Sequence, residues 1–490
     1  MTPAGGTIDF SLSDCPCIIT LTSGELFIDK DITVKGPGAN LLTISAGENP
    51  FRVIRIEGPP GLGHITVKID GIRIADGRGG TEEGPSLTVG GGIFNLNADT
   101  TIANSIIANN RASSGGGAVN RTGVLRLVAS SVVGNSGHGG GIRTVDGTVI
   151  VSDSRFTDNQ SWTGLGSMGG AILSDGSLLS VYNTTFTRNS GVYFGGVALW
   201  NNSTAEISNS SFYTNESGIG TIGGSGTVNM VNSTISGNAG GSVIANGRMN
   251  ITSCTIVRNY DFGIMGGEII PGGVIVGTGG DVTVRNSIIA ENESGDIGHL
   301  DSGTLIKSGG YNLVGDPRNF AHTFTQTGDL TGTAASPRDP MLLPLADNGG
   351  FTQTHRLRLD SPAVDSGFAF GENQDQLGAA RSRDFDNIEN VFGGDGTDIG
   401  AAELVIDEWI SGRVVTPDGR GLRGARVSII HLSGRVEYVL TSSLGYYSFP
   451  AMLADGVHLI RVQGSKRYRF ESYVHDFTGD ATAFEFRAFE

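Results

Sequence analysis

The sequence has few of the features that would assign it to several common protein classes. Its 490 residues include only three cysteines, so a dense disulfide framework is excluded. Charged residues make up 17% of the chain and the formal net charge is −16. Nucleic acid and anionic membranes attract basic patches, so neither is expected as a partner. No run approaches the roughly 18 apolar residues of a membrane span, and no membrane insertion is expected.

The cysteines and the N-terminus give little further guidance. Cys15, Cys17 and Cys254 have no accompanying His or Cys cluster with zinc-like spacing, so we expect free or buried thiols. A Cys15–Cys17 bridge would close a very small loop, and the sequence leaves the redox state of all three open. The first residues, MTPAGGTIDF, contain neither a basic segment nor an apolar core, so the sequence as given begins without a signal peptide.

Glycine is abundant, and it recurs within an internal repeat. There are 78 glycines in the 490 residues, while the hydrophobic fraction of 38% is that of a packed protein. Each repeat has a glycine pair, an apolar run, a turn, a second β-branched run and a triplet that ends in Asn. The triplets end at Asn110, Asn135, Asn159, Asn189, Asn215, Asn238, Asn259 and Asn292. Three residues before each Asn stands an apolar residue: Ile107, Val132, Phe156, Phe186, Phe212, Ile235, Ile256 and Ile289.

This repeat predicts an all-β protein whose main part is a right-handed parallel β-helix. The spacing of 21 to 33 residues is typical of one coil of a β-solenoid with loop insertions. Coils stacked about 4.8 Å apart would pair every short strand with its neighbours and turn the apolar column into a continuous core. The recurring Asn side chains are expected to hydrogen-bond to one another along the stack. The glycines are expected to provide positive φ angles and close approach at another corner.

Several longer phrases resemble the right-handed β-helix proteins that end in a choice-of-anchor Q domain. The entry segment IITLTSGELFIDKDITVKGPGANLLTISAG is similar to the first coils of that group. The closing phrases are GGYNLVGD from Gly309, DPMLLPLADNGGFTQTHRLRLDSPAVDSG from Asp339, DQLG from Asp375 and DIGAAE ending at Glu403. The resemblance implies β-helix coils over residues 1–300 and irregular terminal coils with a cap over residues 301–405. It also implies a protein of the bacterial cell surface or extracellular space.

The pattern changes over residues 406–490. Alternation with a period of two between turns such as Pro417-Asp418-Gly419 predicts a small antiparallel β-sandwich. The segment resembles a carboxypeptidase regulatory-like domain of transthyretin-like topology, which implies a spacer or attachment module. We expect its core to contain Val427, Ile429, Tyr447, Phe449, Ile460 and Val462.

A search for catalytic residues gives one weak candidate region. Parallel β-helices include many polysaccharide lyases and glycosidases, although the fold alone does not imply an activity. Of the polygalacturonase motifs only Gly137-His138-Gly139 is present, and it falls within the repeat. The alternative catalytic set consists of Asp146, Asp153, Asp158 and Arg188, with Asp175, Arg143 and Arg155 nearby. Asp158 and Arg188 share a column on adjacent coils, which favours an ordinary exposed ion pair.

No cofactor is expected from a specific motif. Asp375, Asp384, Asp386, Asp395 and Asp398 form the densest acidic stretch, and DFDNIENVFGGDGTD has a superficial likeness to a calcium loop. It lacks the bidentate Glu of an EF-hand loop, so we expect solvated turns there rather than a Ca²⁺ site.

Four aromatic residues form the candidate ligand-binding set. Trp162, Tyr193, Trp200 and Tyr213 occur on successive coils, where a platform of rings could stack against sugars. The alternative is that these rings merely cover the coils beneath longer loops.

The sequence therefore predicts a secreted or cell-surface protein for adhesion or for contact with glycan or matrix, without catalysis. The expected partner is an extracellular glycan or a surface protein. A polysaccharide lyase or hydrolase with a divergent site is the main alternative. A third hypothesis is end-to-end self-association into a filament, because an uncapped coil exposes unpaired backbone groups.

Overall fold

This computed structural model describes most of the chain, in two compact units. The described residues are 3–12, 15–61, 63–79, 89–161, 168–261, 263–265, 268–301, 305–384, 388–404, 410–430, 436–449, 457–463, 468–470, 473–476 and 484–489. The first unit comprises Met1–Pro340, Pro344–Arg356 and Pro362–Glu403. The second unit comprises Met341–Leu343, Leu357–Ser361 and Leu404–Glu490.

The first unit is a right-handed parallel β-helix built from three parallel sheets, and each coil adds one strand to each sheet in turn. The first sheet contains Gly6–Asp9, Ile32–Lys35, Ile65–Asp70, Ala98–Ala103, Val124–Val128, Thr148–Ser152, Leu178–Tyr182, Thr204–Ser208, Thr227–Val231, Arg248–Thr252, Asp281–Arg285 and Leu305–Ser308. The second sheet contains Cys17–Thr20, Leu42–Ser45, Arg73–Ala75, Ile106–Ala108, Ser131–Val133, Arg155–Thr157, Thr185–Thr187, Ser211–Tyr213, Thr234–Ser236, Thr255–Val257, Ile288–Ala290, Leu313–Val314 and Leu330–Thr331.

The third sheet completes each coil. Its strands are Leu26–Ile28, Ile54–Glu57, Ile93–Leu96, Ala118–Arg121, Ile142–Val145, Ile172–Asp175, Phe194–Trp200, Gly220–Gly224, Val243–Ala245, Val274–Val276 and Ile297–His299. Smaller pairings join Arg111–Ser114 to Ser136–His138, Ser190–Gly191 to Glu216–Ser217 and Gly263–Met265 to Glu268–Ile270. A short 3₁₀ helix spans Arg318–Phe320. No described helix is long and apolar enough to cross a membrane.

The predicted apolar column lies inside the β-helix, in the second sheet. Phe156 pairs with Phe186, and Phe186 pairs with Phe212, in register on successive coils. Their ring centroids are 4.9 and 4.4 Å apart, in stacked geometry. All eight members of the column have 0% exposure. Because residues about two dozen positions apart lie directly above one another, one repeated apolar residue produces a continuous dry core.

The glycines act at the corner before the third sheet, as predicted. Gly115 has φ 59°, a conformation that strains residues with a side chain. Gly116 has no positive φ, but a Cβ atom there would collide with the Ser136 carbonyl group of the next coil. Both requirements recur on neighbouring coils, as at Gly90 and Gly91 and at Gly139 and Gly140, and they account for the repeated glycines at this corner.

A second column of hydroxyl groups was not predicted. At the corner between the first and second sheets, the backbone N–H of Ser105 donates to the Ser130 Oγ at 3.1 Å, and Ser130 N–H donates to the Ser154 Oγ at 3.1 Å. The column continues through Thr184, Ser210, Ser233, Cys254 and Ser287. Cys254 thus stands where other coils have Ser, and burial raises the pKa of its thiol to about 12.

The prediction of free thiols was wrong for two of the three cysteines. Cys15 and Cys17 form a disulfide, because the loop brings the two sulfur atoms together despite the single residue between them. Cys254 is free and buried.

The residues after the last coils return along the β-helix instead of only closing its end. We call residues 344–356 and 362–403 the return segment. Thr352 Oγ1 donates to the Asn209 carbonyl oxygen at 3.0 Å, and the Ala401 N–H donates to Thr255 Oγ1 at 3.0 Å. The return segment therefore covers the outer side of later strands of the second sheet. In the strand Thr234–Ser236 every residue is buried, whereas Ser131 and Val133 are only half-buried. Outward Ser and Thr hydroxyls need polar partners when covered, and this irregular segment supplies them.

The second unit has two small sheets. One contains Tyr446–Phe449, Ile410–Val415 and Phe484–Arg487, and the other contains Val436–Leu440, Arg426–Ile430, Val457–Gln463 and Tyr473–Asp476. Pairing is antiparallel except between Ile410–Val415 and Phe484–Arg487, which are parallel. The six predicted core residues are all buried, and they pack with Val414, Ala425 and Phe486.

Candidate functional site

The repeated asparagines form a hydrogen-bonded stack, which we call the asparagine ladder: Asn110, Asn135, Asn159, Asn189, Asn215, Asn238, Asn259 and Asn292. Each side-chain amide donates to the Oδ1 of the next at 2.9 to 3.0 Å. The backbone N–H of each residue donates to the same oxygen. The second amide hydrogen reaches a carbonyl of the preceding coil, as from Asn189 to the Phe156 oxygen at 3.0 Å. The structural interpretation of these residues is confirmed.

Asp296 ends the ladder in place of a further asparagine. Its Oδ1 accepts the Asn292 amide at 2.8 Å and the Asn292 backbone N–H at 3.1 Å. Its Oδ2 accepts the backbone N–H of Asp316. Burial raises the pKa of the Asp296 carboxyl to about 7, although these hydrogen bonds oppose the shift. The ladder is therefore closed at this end by a group that titrates near neutral pH.

Asp158 and Arg188 occupy the same turn position on successive coils. Both have left-handed backbone conformations, with φ 56° and φ 52°, directly before the ladder asparagines. Arg188 Nε lies 2.8 Å from Asp158 Oδ1, with side-chain exposures of 59% and 49%. The predicted exposed ion pair is confirmed. Hydrogen bonding to Asp158 raises the pKa of Arg188.

The remaining members of the weak catalytic set also lie in turns. Asp146 and Asp153 have φ 50° and φ 51°, and they lie at different corners of their coil. Asp153 accepts the Asn183 amide at 3.1 Å. Arg143 Nη2 lies 3.0 Å from Asp175 Oδ2, which makes a separate ion pair on the third sheet. The structure pairs Asp153, Asp158 and Asp175 with amides or cations on neighbouring coils, and it does not bring the four predicted residues together.

His138 is part of a short strand, Ser136–His138, which pairs only with Arg111–Ser114 of the preceding coil among the described strands. Burial, and then the positive charge of Arg143, lower the pKa of the imidazole. A Cβ atom added at the neighbouring Gly137 would collide with backbone atoms of the preceding coil. The triplet Gly137-His138-Gly139 is thus explained by coil stacking.

The structure places the predicted aromatic residues at separate points of the coil. Trp162 lies outside the described residues. Tyr193 is half-buried and packs against an apolar cluster that includes Leu173 and Phe194. Trp200 is 41% exposed at the far end of the strand Phe194–Trp200, about 20 Å along the strand from Tyr193. Tyr213 lies on a different sheet, where it pairs with Thr187. The described rings are not brought together on one sheet, and their ligand-binding role stays a prediction.

A buried charged network was not predicted from the sequence. We call it the Arg381 cluster: Arg381, Asn232, Asp375, Asp398 and Glu403. Arg381 is 1% exposed. Its Nη1 donates to Glu403 Oε1 at 2.9 Å, and its Nη2 donates to Asn232 Oδ1 at 2.6 Å. This arrangement joins the return segment to a turn of the β-helix. A charge in this position must be paired, because an isolated buried ion is strongly destabilising.

The carboxylates of the cluster are tied together through backbone groups. Glu403 accepts the Asp398 N–H at 3.2 Å, and Asp398 accepts the Asp365 N–H at 2.8 Å. Asp375 accepts the N–H groups of Glu403, Leu377 and Ala379. Burial, and then the nearby Asp398, raise the pKa of Glu403; burial also raises the pKa of Asp375.

The expectation of solvated turns was therefore wrong for part of the acidic stretch. Asp375 and Asp398 are both 0% exposed and belong to the cluster. Asp395 accepts the backbone N–H groups of Ala369 and Thr397, which is ordinary turn chemistry. Asp384 is exposed, and Asp386 lies outside the described residues. In the described part of the chain no group of three or more His, Cys, Asp or Glu residues could hold a metal ion.

Comparison with known proteins supports the fold of the central coils. No curated protein matches the chain. Residues 91–259, which contain seven of the eight ladder asparagines, match the family model of the right-handed β-helix region, a match that fits a pectin lyase-like fold.

Proposed function

We propose that this protein is an extracellular β-helix protein that contacts glycan or matrix without cleaving it. The observation that carries the proposal is the fully stacked first unit, with its dry core and its satisfied ladder. Twelve strands of the first sheet stacked about 4.8 Å apart give roughly 50 to 60 Å of rigid surface. The outward positions are rich in Ser, Thr and Asn, which suit hydroxyl-rich ligands.

The turn positions and the pairing of the candidate acids favour binding over catalysis. Glycoside hydrolysis requires two carboxyl groups on opposite sides of one bond. Asp146, Asp153 and Asp158 each occupy a left-handed turn position, which already gives them a structural role. Asp158 is also paired with Arg188. A polysaccharide lyase or hydrolase with a divergent site remains the competing hypothesis.

The Cys15–Cys17 disulfide and the resemblance to choice-of-anchor Q proteins both support a location outside the cytoplasm. Disulfides such as Cys15–Cys17 persist mainly in oxidising compartments. The phrases that carry this resemblance have a structural role in the Arg381 cluster. DQLG contributes Asp375, DIGAAE contributes Glu403, and DSPAVDSG contributes the Asp365 N–H. We propose that the chain is of this type.

The second unit is proposed to be a carboxypeptidase regulatory-like spacer or attachment module. Its two small sheets share one apolar core that includes Val427, Tyr447 and Phe486. This architecture is compatible with a transthyretin-like domain, and it is formed by residues with no repeat pattern.

A binding and product assay tests the proposed function. The full chain would be incubated with a panel of neutral and uronic-acid polysaccharides, with and without Ca²⁺. We expect retention of at least one polymer with no increase in reducing ends and no absorbance from unsaturated products. Release of either product would support the enzyme hypothesis instead. Light scattering that rises steeply with protein concentration in the absence of polysaccharide would support self-association.

A further inference from the structure

A groove runs along the corner between the first and second sheets. One turn residue per coil lines up there: Ala129, Asp153, Asn183, Asn209 and Asn232. The backbone N–H of each donates to the coil that follows, as from Asp153 to the Tyr182 oxygen at 3.2 Å and from Asn183 to the Ser208 oxygen at 3.3 Å. Five coils about 4.8 Å apart make this corner roughly 19 Å long.

The return segment forms the second wall of the groove. Asn232 Nδ2 donates to the Gln374 carbonyl oxygen at 2.8 Å, and Thr352 Oγ1 donates to the Asn209 carbonyl oxygen at 3.0 Å. The buried Gln376 side chain adds bonds to Thr234 and Thr352. Both walls are therefore held in place by hydrogen bonds, so the groove is preformed.

Two cavities lie along this corner. One, of about 800 Å³, is lined by Tyr182, Ser208, Asn209, Val231, Asn232 and residues 372–374, 378 and 380. The other, of about 240 Å³, is lined by residues 129–131, 153–155, 183 and 185 together with Phe351. No residue lines both cavities, but Tyr182 of the first and Asn183 of the second are consecutive in the chain. Together they follow the corner over its five coils.

The lining combines aromatic rings with amide and carboxylate groups. The Tyr182 side chain is 44% exposed and Phe351 is 74% exposed, so both rings are accessible for stacking. The Asn209 side-chain amide has no hydrogen-bond partner among the described residues, and the half-buried Glu372 carboxylate has none either. Sugar rings present apolar faces and hydroxyl groups, which match these two kinds of contact.

The charges of the lining residues indicate which class of glycan the groove would bind. Asp153 and Glu372 place two carboxylates in the lining, against the single cation of Arg155. The chain as a whole has a net charge of −16. Repulsion between like charges disfavours a uronic-acid polymer in this groove.

We propose that this groove binds a linear, uncharged glycan, with about four sugar residues in contact, since successive coils about 4.8 Å apart match the length of successive sugars in an extended chain. Tyr182 and Phe351 stack against sugar faces, while Asn209 and Glu372 bond to hydroxyl groups. This inference rests on the proposed function, because it gives a location and a ligand class to glycan contact. It uses residues other than the four aromatics predicted from the sequence.

The test is titration calorimetry of the full chain with neutral linear oligosaccharides of one to eight residues, chosen from polymers that the parent protein retains. We expect affinity to rise with length up to about four residues and then to level off. Tyr182→Ala and Phe351→Ala should each weaken binding about tenfold. Tyr260→Ala and Phe392→Ala are matched controls, since these rings are 57% and 90% exposed outside the groove. Both controls should bind like the parent.

The possible outcomes separate the groove from the proposed function. If the parent retains a neutral glycan and the groove variants bind it as well as the controls do, the groove proposal is overturned and glycan contact stands. If the parent retains no glycan at all, the groove proposal fails together with the glycan-binding part of the proposed function. Preference for uronic-acid chains, or equal affinity for a single sugar and a tetrasaccharide, would also overturn the groove. Glu372→Gln, which preserves volume, provides a further test if an alanine variant does not fold.

Discussion

The asparagine ladder and the Arg381 cluster are both buried polar networks, but they are built in opposite ways. The ladder uses one neutral amide per coil, and each amide satisfies its neighbours at 2.9 to 3.0 Å. The cluster uses one cation with the carboxylates of Asp375, Asp398 and Glu403, all contributed by the nonrepeating return segment. A ladder can lengthen coil by coil without accumulating charge. A charged cluster is stable only when its cation and its carboxylates are present together.

The largest expected effect is at the centre of the charged cluster. Arg381→Met should lower the free energy of unfolding by about 3 to 5 kcal/mol, because the neighbouring carboxylates stay buried without their cation. Chemical unfolding in urea, followed by fluorescence, measures this loss. Arg188→Met is the matched control, since Arg188 is 59% exposed in its ion pair. A similar small loss in both variants would show that the cluster is unimportant for stability.

A smaller loss is expected within the ladder. Asn189→Ala removes the acceptor of the Asn159 amide and the donor to the Phe156 carbonyl oxygen. Buried groups left without partners should cost about 2 to 3 kcal/mol. Asn319→Ala, at an exposed position, is the control for the same unfolding measurement. A ladder variant as stable as this control would argue against the hydrogen-bonded stack.

The end of the ladder should make stability depend on pH. The pKa of Asp296 is raised to about 7 in the folded chain, from 3.8. Its contribution to stability is therefore complete below pH 4 and is lost as the pH rises through 7. Between pH 5 and pH 7 the parent should lose on the order of 1 to 2 kcal/mol relative to Asp296→Asn. Parallel pH curves for the two proteins would contradict this role.

The smallest effect is expected for the exposed pair. Asp158→Asn should change the free energy of unfolding by less than about 1 kcal/mol, since surface ion pairs contribute little. The change should shrink further at high salt, which screens exposed charges. Thermal unfolding at low and high ionic strength checks both statements. A large loss that is independent of salt would assign Asp158 a different role.

Repetition explains why the ladder was predictable and the cluster was not. Eight asparagines at one position of a repeat, each preceded by a buried apolar residue, define both their register and their surroundings. Arg381 has no such context. Its partners come from phrases at Asp375, Asp398 and Glu403 that occur once each, and from Asn232 on a coil far earlier in the sequence. The family resemblance drew attention to most of these phrases, but only the fold shows that their side chains lie together around Arg381.

The path of the return segment could not be predicted from the sequence for the same reason. Burial of Ser and Thr on the outer side of the second sheet depends on residues more than one hundred positions away, such as Gln376 bonding to Thr234. The groove beside that segment was therefore invisible in the sequence. The four aromatic residues were predicted to bind a ligand because they occur on successive coils. That spacing alone does not specify which corner of a coil a side chain occupies. A signal was nevertheless available at Asn183, Asn209 and Asn232, which each precede a Ser or Thr of the hydroxyl column.

Cross-linking across adjacent coils tests the central claim most directly. Leu178 lies beside Thr204 in register, and Thr204 lies beside Thr227 on the next coil. Cysteines at Leu178 and Thr204 should form a disulfide under mild oxidation, because a Cα separation of about 4.8 Å suits that bond. Cysteines at Leu178 and Thr227, about 9.6 Å apart, should stay reduced. Mass spectrometry would identify the linked peptides. A bond in the second pair, or none in the first, would contradict the stacking of coils on which the fold and the groove depend.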